Sequence, residues 1–226
     1  MKILGIDTTT KFLCLGLADG NKFYDYNLDL GTRHSVLLVP TIKRVLEALN
    51  WRIDQIDYFA CGVGPGSFTG IRVGLATIKG LAWSLKKPVV GISTLDIIAK
   101  TVKQTQRYIV PSIDAKRNLI YCGIYKIKGG ILKRTSPYML LTVDEFLKKI
   151  ADDAVLLGDA LALYKERILN KKVKVDILDT DSWYPKAHNL ITLAQERIKE
   201  RKINNPFDIK PIYLYPKECQ IRSASA

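Results

Sequence analysis

Two short segments of this 226-residue chain carry residue types suited to phosphate or metal chemistry. Asp7-Thr8-Thr9-Thr10 follows one apolar run, and Asp114-Ala115-Lys116-Arg117 follows another. A carboxylate can hold a hydrated magnesium ion, and threonine hydroxyls can donate to phosphate oxygens. Each aspartate can equally organise its own hairpin turn, a common use of Asp. Between them lies the glycine-rich stretch Gly62-Val63-Gly64-Pro65-Gly66-Ser67, ahead of a long helical pattern. Glycine lets a backbone approach another surface, and Ser67 can accept a hydrogen bond from the free N–H groups of the first helical turn. Those N–H groups also suit a phosphate. The candidate nucleotide contacts are therefore Asp7, Thr8, Thr9, Gly64, Gly66, Ser67 and Asp114. The stretch is not a Walker A loop, because no Gly-Lys-Ser/Thr follows and Lys79 lies about three turns inside the helix. From the glycines alone, a tight strand-to-helix turn is the simpler reading.

Other chemistries are excluded by counting. The chain has two histidines, His34 and His188, so no His-x-x-x-His metal pair can be written. No Ser/His/Asp or Cys/His set is identifiable, and no catalytic or metal-ligating residue is assigned. The four cysteines, Cys14, Cys61, Cys122 and Cys219, stand far apart, and the first three fall in apolar runs. Buried free thiols are expected rather than disulfides or zinc ligands. No segment approaches the roughly 20 apolar residues of a membrane span, and MKILGIDTTT holds too short an apolar run for a signal peptide. A cytoplasmic protein without membrane contact is expected. The net charge of +13 is uneven: residues 1–101 carry 12 basic against 8 acidic side chains, and the remainder 23 against 14. Lys165, Arg167, Lys171, Lys172 and Lys174, then Arg197, Lys199, Arg201 and Lys202, could attract RNA or an acidic protein. A solvated lysine-rich exterior explains them equally well, since no aromatic residues interleave these runs.

The elements that must position these residues come in two similar sets. Alternation and turn residues predict strands at about 2–6, 12–18 and 22–28, a helix at 33–49, a strand at 57–63, a helix after Ser67, a strand at 88–92 and a helix at 94–102. The second set runs through strands at 107–113, 118–126 and 131–141, a helix at 143–150, a strand at 154–158, a helix at 160–169, a strand at 173–178 and a helix at 187–202. Gly16 and Gly123 each follow the aspartate of their own half at the same interval, inside the next strand. Two such βββαβαβα units side by side describe an α/β protein of the actin-like ATPase (ribonuclease H-like) fold. The expected subdomains are 1–103, with the partner-binding helices, and 104–226.

ILGIDTTT, the Arg33-His34-Ser35 segment with Leu38 and Pro40 behind it, GVGPGSFTGIRVGLATIKGLA, Ile113-Asp114-Ala115-Lys116-Arg117 and Pro211-Ile212-Tyr213-Leu214 together resemble the TsaB family, also called YeaZ. The likeness runs nearly end to end. It implies a part in forming the threonylcarbamoyl modification of adenosine 37 in tRNA. It implies a non-catalytic subunit that pairs with the metal-holding transferase TsaD and is joined by the ATPase TsaE. The same helices would serve a homodimer. The resemblance implies no cofactor required by the chain itself, and the missing histidine pair argues against glycoprotease or M22 peptidase activity. The alternative is an actin-like-fold phosphotransferase or ATPase that holds ATP or ADP with magnesium between Asp7, Gly64–Ser67 and Asp114.

The helices make a physical case for a partner. From 68 to 85 the only charged residues are Arg72 and Lys79. At 100° per residue, Ile71, Leu75, Ile78, Leu81, Ala82 and Leu85 share one apolar sector. The opposite sector carries Val73, Thr77, Gly80 and Ser84, with Gly70 and Gly74 at its edge, and such small residues let another helix approach closely. The preceding helix shows a similar excess, with Leu37, Leu38, Val39, Ile42, Val45, Leu46, Ala48 and Leu49 over more than half its circumference, so that the two helices either pack only on each other or form half of a four-helix interface. The expected partner interface is Leu37, Leu38, Thr41, Val45, Gly70, Val73, Gly74, Thr77, Gly80 and Ser84, and His34 and Ser35 either cap the first helix, the simpler reading, or lie at the rim.

Overall fold

The computed structural model describes residues 1–216 except Thr32, Ala151 and 171–173. Lys171, Lys172 and Cys219 thus lie outside the described residues. The first half runs β1 (Lys2–Asp7), β2 (Phe12–Asp19), β3 (Lys22–Asp29), α1 (His34–Ala48), β4 (Tyr58–Gly62), α2 (Phe68–Ser84), β5 (Val89–Ile92) and α3 (Thr94–Ala99). The second runs β6 (Tyr108–Lys116), β7 (Leu119–Cys122), β8 (Tyr125–Lys128), β9 (Ile131–Arg134), β10 (Met139–Thr142), α4 (Val143–Lys149), β11 (Ala154–Leu157), α5 (Leu161–Leu169), β12 (Val175–Ile177) and α6 (Ala187–Lys199).

The first sheet has the order β3-β2-β1-β4-β5, with β1, β2 and β3 antiparallel and β4 and β5 parallel to β1. The second repeats it as β10-β7-β6-β11-β12 and adds the β8–β9 hairpin alongside β6. That hairpin divides two of the expected strands. The run at 118–126 breaks at Gly123-Ile124, and the run at 131–141 breaks at Thr135-Ser136-Pro137. Hydrogen bonds close the base: Thr135 N donates to Ile124 O at 2.7 Å, and Ile124 N donates to Ser136 Oγ at 2.9 Å. In the first half β2 passes directly into β3 through Gly20.

The matched glycines do not correspond. Asp7 pairs with Cys14 and Gly5 with Gly16, whereas Asp114 pairs with Ile120 and Ser112 with Cys122. The second hairpin is one residue tighter, because its register shifts between Asp114 and Lys116 and three successive residues, Lys116, Arg117 and Asn118, take left-handed φ values. Cys122 therefore stands where Gly16 does, and Gly123 lies just past β7.

Both faces of the first sheet are covered. α1 and α2 close one face over Leu4, Ile6, Leu13, Leu15 and Leu17. α6, read from the sequence as the last helix of the second half, closes the other by packing Leu190, Ile191 and Ala194 on Ile3, Ala18 and Ala60. Gly5 and Gly16 make room for it; a Cβ at Gly16 would stand 2.7 Å from Ile191 Cγ1. The chain after α6 then runs back along β5, where Asn204 N donates to Val89 O at 2.7 Å.

The glycines of α2 play opposite parts. A Cβ at Gly70 would overlap the carbonyl oxygen of Thr8, whereas a Cβ at Gly80 would meet nothing. Gly70→Ala should destabilise the isolated chain by about 1–3 kcal/mol, since the backbone must move. Gly80→Ala should stabilise it by about 0.5–1 kcal/mol through helix propensity. Thermal melts of the two variants check both signs.

Candidate functional site

The ends of β1 and β6 face each other across a cleft. Its cavity of about 610 Å³ is lined by Thr9, Lys11, Gly66 and Ser67 from the first half and by Asp114, Lys116, Arg117 and Asp159 from the second. Tyr213 and Tyr215, after the last helix, complete the wall. Of the seven candidate nucleotide contacts, Thr9, Gly66, Ser67 and Asp114 line this cavity, and Asp7, Thr8 and Gly64 do not. Ser67 caps α2 by accepting from Gly70 N at 3.2 Å, and Gly66 lies so close to the first turn that a Cβ would stand 2.5 Å from Thr9 O.

Asp7 is fully buried. Its Oδ1 accepts from Thr9 N at 2.8 Å and from Thr9 Oγ1 at 2.7 Å, and its Oδ2 accepts from Thr94 Oγ1 at 3.1 Å. Gly62 caps the carboxylate from above, since a Cβ there would overlap Oδ2. Thr8 is buried as well and donates to Gly70 O at 2.7 Å. Asp114 repeats the pattern at the cleft surface: Oδ1 accepts from Lys116 N at 2.8 Å and Oδ2 binds Lys116 Nζ at 2.6 Å. Its own N–H donates to Asp159 Oδ1 at 2.9 Å. Both aspartates thus organise their own turns, the second of the two readings open from sequence. Asp7 is enclosed beneath Gly62, and Asp114 Oδ2 is covered by the ammonium of the exposed Lys116. Among the described residues no group of three His, Cys, Asp or Glu could hold a metal.

Burial pushes the Asp7 carboxyl above the ordinary carboxylate range, opposed by its hydrogen bonds from Thr9 and Thr94. Burial also pushes Asp159 upward, and it raises the thiols of Cys14 and Cys61. Cys14, Cys61 and Cys122 are buried free thiols, as expected.

The second surface is the outer side of α1 and α2. On α1, Val36 and Val39 are 70% and 59% exposed, with Pro40 beside them in solvent. On α2 the exposed line is Thr69, Arg72, Ala76, Gly80, Trp83 and Ser84; Arg72 lies over the Phe68 ring, and Trp83, 64% exposed, has its ring edge-on to Phe207. Four of the ten expected interface residues are placed otherwise. Leu38, Val45, Gly70 and Gly74 are buried in this chain's own core, and Gly74 faces Thr8 Oγ1. Both glycines admit the first hairpin turn, not a partner helix. Leu37, Thr41, Val73 and Thr77 are half-buried, and Gly80 and Ser84 are exposed. The expected capping of α1 is absent: His34 is buried in the first turn, and the cap position, Arg33, makes no side-chain bond. Val36, Ala76 and Trp83, outward here, are not among the ten, and Val39 counts only toward the apolar excess; which sector of each helix faces outward depends on the sheet.

The repeated strand order, with two facing turns at a central cleft, defines the actin-like ATPase class. The family model described as "TsaD: tRNA N6-adenosine threonylcarbamoyltransferase" matches residues 30–221. The chain is 29% identical to the tRNA threonylcarbamoyladenosine biosynthesis protein TsaB of Bacillus subtilis, covering 98% of this chain and 97% of that one. It is 30% identical to the protein of the same name from Buchnera aphidicola subsp. Schizaphis graminum, over 88% and 96%. A crystal structure from Pseudomonas aeruginosa, of a protein with similarity to peptidase YEAZ, superposes with a TM-score of 0.83 at 25% identity, covering 95% of this chain and 99% of that one. The chain belongs to the TsaB family, within the wider group that the TsaD model describes.

The Asp7 carboxyl generates a pH test. Its folded value lies above the unfolded one, so its contribution to stability is complete below the ordinary carboxylate range and is lost as pH rises through the raised value. Asp7→Asn removes this titration. The melting temperature of the natural chain minus that of the variant should rise as pH is lowered from about 8 to about 4. A flat difference would show that Asp7 does not titrate in this way.

Proposed function

We propose that this chain is the non-catalytic TsaB subunit of tRNA threonylcarbamoyladenosine formation, which pairs with TsaD and supports it together with TsaE in the cytoplasm. The observation that carries the pairing is the exposed apolar side of α1 and α2. Val36, Val39, Pro40, Ala76 and Gly80 leave two adjacent helices open to a second pair. Exposed apolar side chains on two neighbouring helices, bordered here by Arg72, Lys43, Arg44 and Glu47, suit a protein partner. Small residues at Ala76 and Gly80 set the close approach that helix ridges need. The same side would serve a homodimer when TsaD is absent. No helix of the described residues is long and apolar enough to cross a membrane.

The non-catalytic part of the reading is supported by the two engaged carboxylates. Asp7 lies beneath Gly62 and Asp114 is paired with Lys116, so both carboxylates are engaged by this chain's own groups. The alternative, an ATP-dependent phosphotransferase or ATPase, has in its favour a cavity that Thr9, Gly66, Ser67 and Asp114 share with Lys11 and Arg117. Calorimetry and phosphate release with ATP and magnesium separate the two. Absence of sustained hydrolysis is expected, and turnover by the isolated chain would favour the enzyme.

Ala76→Glu tests the pairing. Ala76 is exposed on α2, so the variant should fold with an unchanged melting temperature. Burying its charge against a partner should weaken binding to TsaD at least 30-fold, about 2 kcal/mol. Normal co-elution of Ala76→Glu with TsaD would refute this interface.

A further inference from the structure

We infer that the outward face of the β8–β9 hairpin binds the phosphate backbone of the RNA substrate; this rests on the tRNA-modifying role proposed above. The hairpin is the one element of the second sheet that the first sheet lacks. Its register pairs Tyr125 with Arg134, Lys126 with Lys133, Ile127 with Leu132 and Lys128 with Ile131. Strand side chains alternate between faces. Tyr125, Ile127 and Leu132 therefore pack inward, and Lys126, Lys128, Ile131 and Lys133 point outward.

Lys126 and Lys133 stand directly opposite each other, an arrangement of like charges that disfavours the sheet. No acidic residue occurs between 125 and 134. Among the described residues, none of the three outward lysines has an ion-pair partner, whereas Lys11, Lys100 and Lys116 each do. Lys126 instead has its ammonium 4.1 Å from the centre of the Tyr108 ring. Lysine on an edge strand does guard against unwanted strand pairing, and that accounts for Lys133 on β9. On β8 only Tyr125 also pairs with β6, at Ile109, so edge protection covers Lys126 and Lys128 in part; it does not explain why all three outward lysines stand without an acidic neighbour in the ribbon.

The spacing suits a regular polyanion. The ammonium groups spring from positions roughly 5 Å apart across the ribbon and roughly 7 Å apart along it. Gly129 and Gly130 close the turn with φ of 59° and 75°, so no side chain stands at the tip to obstruct a groove. Phosphates neutralised by lysines release counterions, which makes binding salt-dependent. Nothing in this face reads bases, so the contact positions the RNA and leaves sequence selection to other residues.

The test uses the full chain in complex with TsaD and an ANN-decoding tRNA, titrated by fluorescence anisotropy over a range of salt. The triple variant K126Q/K128Q/K133Q should bind at least tenfold more weakly at low salt. Its slope of log affinity against log salt should be shallower by about 2 to 3. The scattered triple K22Q/K86Q/K210Q loses the same charge and should keep the natural slope. Equal behaviour of the two triples, or a natural complex whose affinity ignores salt, would overturn the proposal. So would polyglutamate that binds the natural complex but not the hairpin triple while tRNA binds both alike, a result pointing to an acidic protein. If the triple fails to melt cooperatively, K133Q alone should still reduce the slope by about 1, and an unchanged slope overturns it. A natural chain that binds tRNA through the hairpin but does not support the modification would instead refute the functional reading.

Discussion

The carboxylate of Asp7 fixes the arrangement of the first half. Three hydrogen bonds, two from Thr9 and one from Thr94, hold it without access to solvent. These bonds tie the end of β1 to its own turn and to the start of α3. Gly62 and Gly70 are required by the same contact, because a side chain at either would collide with Asp7 or with Thr8. An unpaired buried carboxylate would be costly, and this one is satisfied by short, local donors. Asp7 thereby acts as a structural pin of the first half.

That pin determines where α2 lies, and α2 determines what the protein presents. With Gly70 and Gly74 pressed on the first turn, Ile71, Leu75 and Ile78 enter the core. Ala76, Gly80 and Trp83 are then left outside, beside Val36 and Val39 of α1. On the opposite side of the sheet, α6 crosses from the second half and seals the first with Leu190 and Ile191. Asp96 adds a second tie between the halves, accepting from Tyr125 and Tyr138 at 2.8 and 2.9 Å and pairing with Arg197. The two halves therefore form a braced support for a helical face.

Strand and helix order was legible in the residues because alternation and helical periodicity are strong in both halves. The doubled plan was legible too, through Ile6-Asp7 and Ile113-Asp114. The register of the second hairpin was not, since one left-handed turn at Lys116–Asn118 shortens it by a residue without changing its composition. The splitting of two strands into β8 and β9 was hidden for a similar reason: the break is closed by Thr135 and Ser136, polar residues that a strand also tolerates. The fate of Asp7 was beyond local reading, because its donor Thr94 and its cover Gly62 are distant in the chain. A helical wheel gave two non-charged faces for α2 but could not say which glycines touch the sheet.

The central claim is that this chain supports transfer without performing it. Reconstitution of threonylcarbamoyl transfer to tRNA from threonylcarbamoyl adenylate, using TsaD and TsaE with and without this chain, measures that directly. The account predicts that sustained transfer needs the chain and that the chain alone transfers nothing. Transfer by the chain without TsaD, or full activity of TsaD and TsaE in its absence, would contradict it.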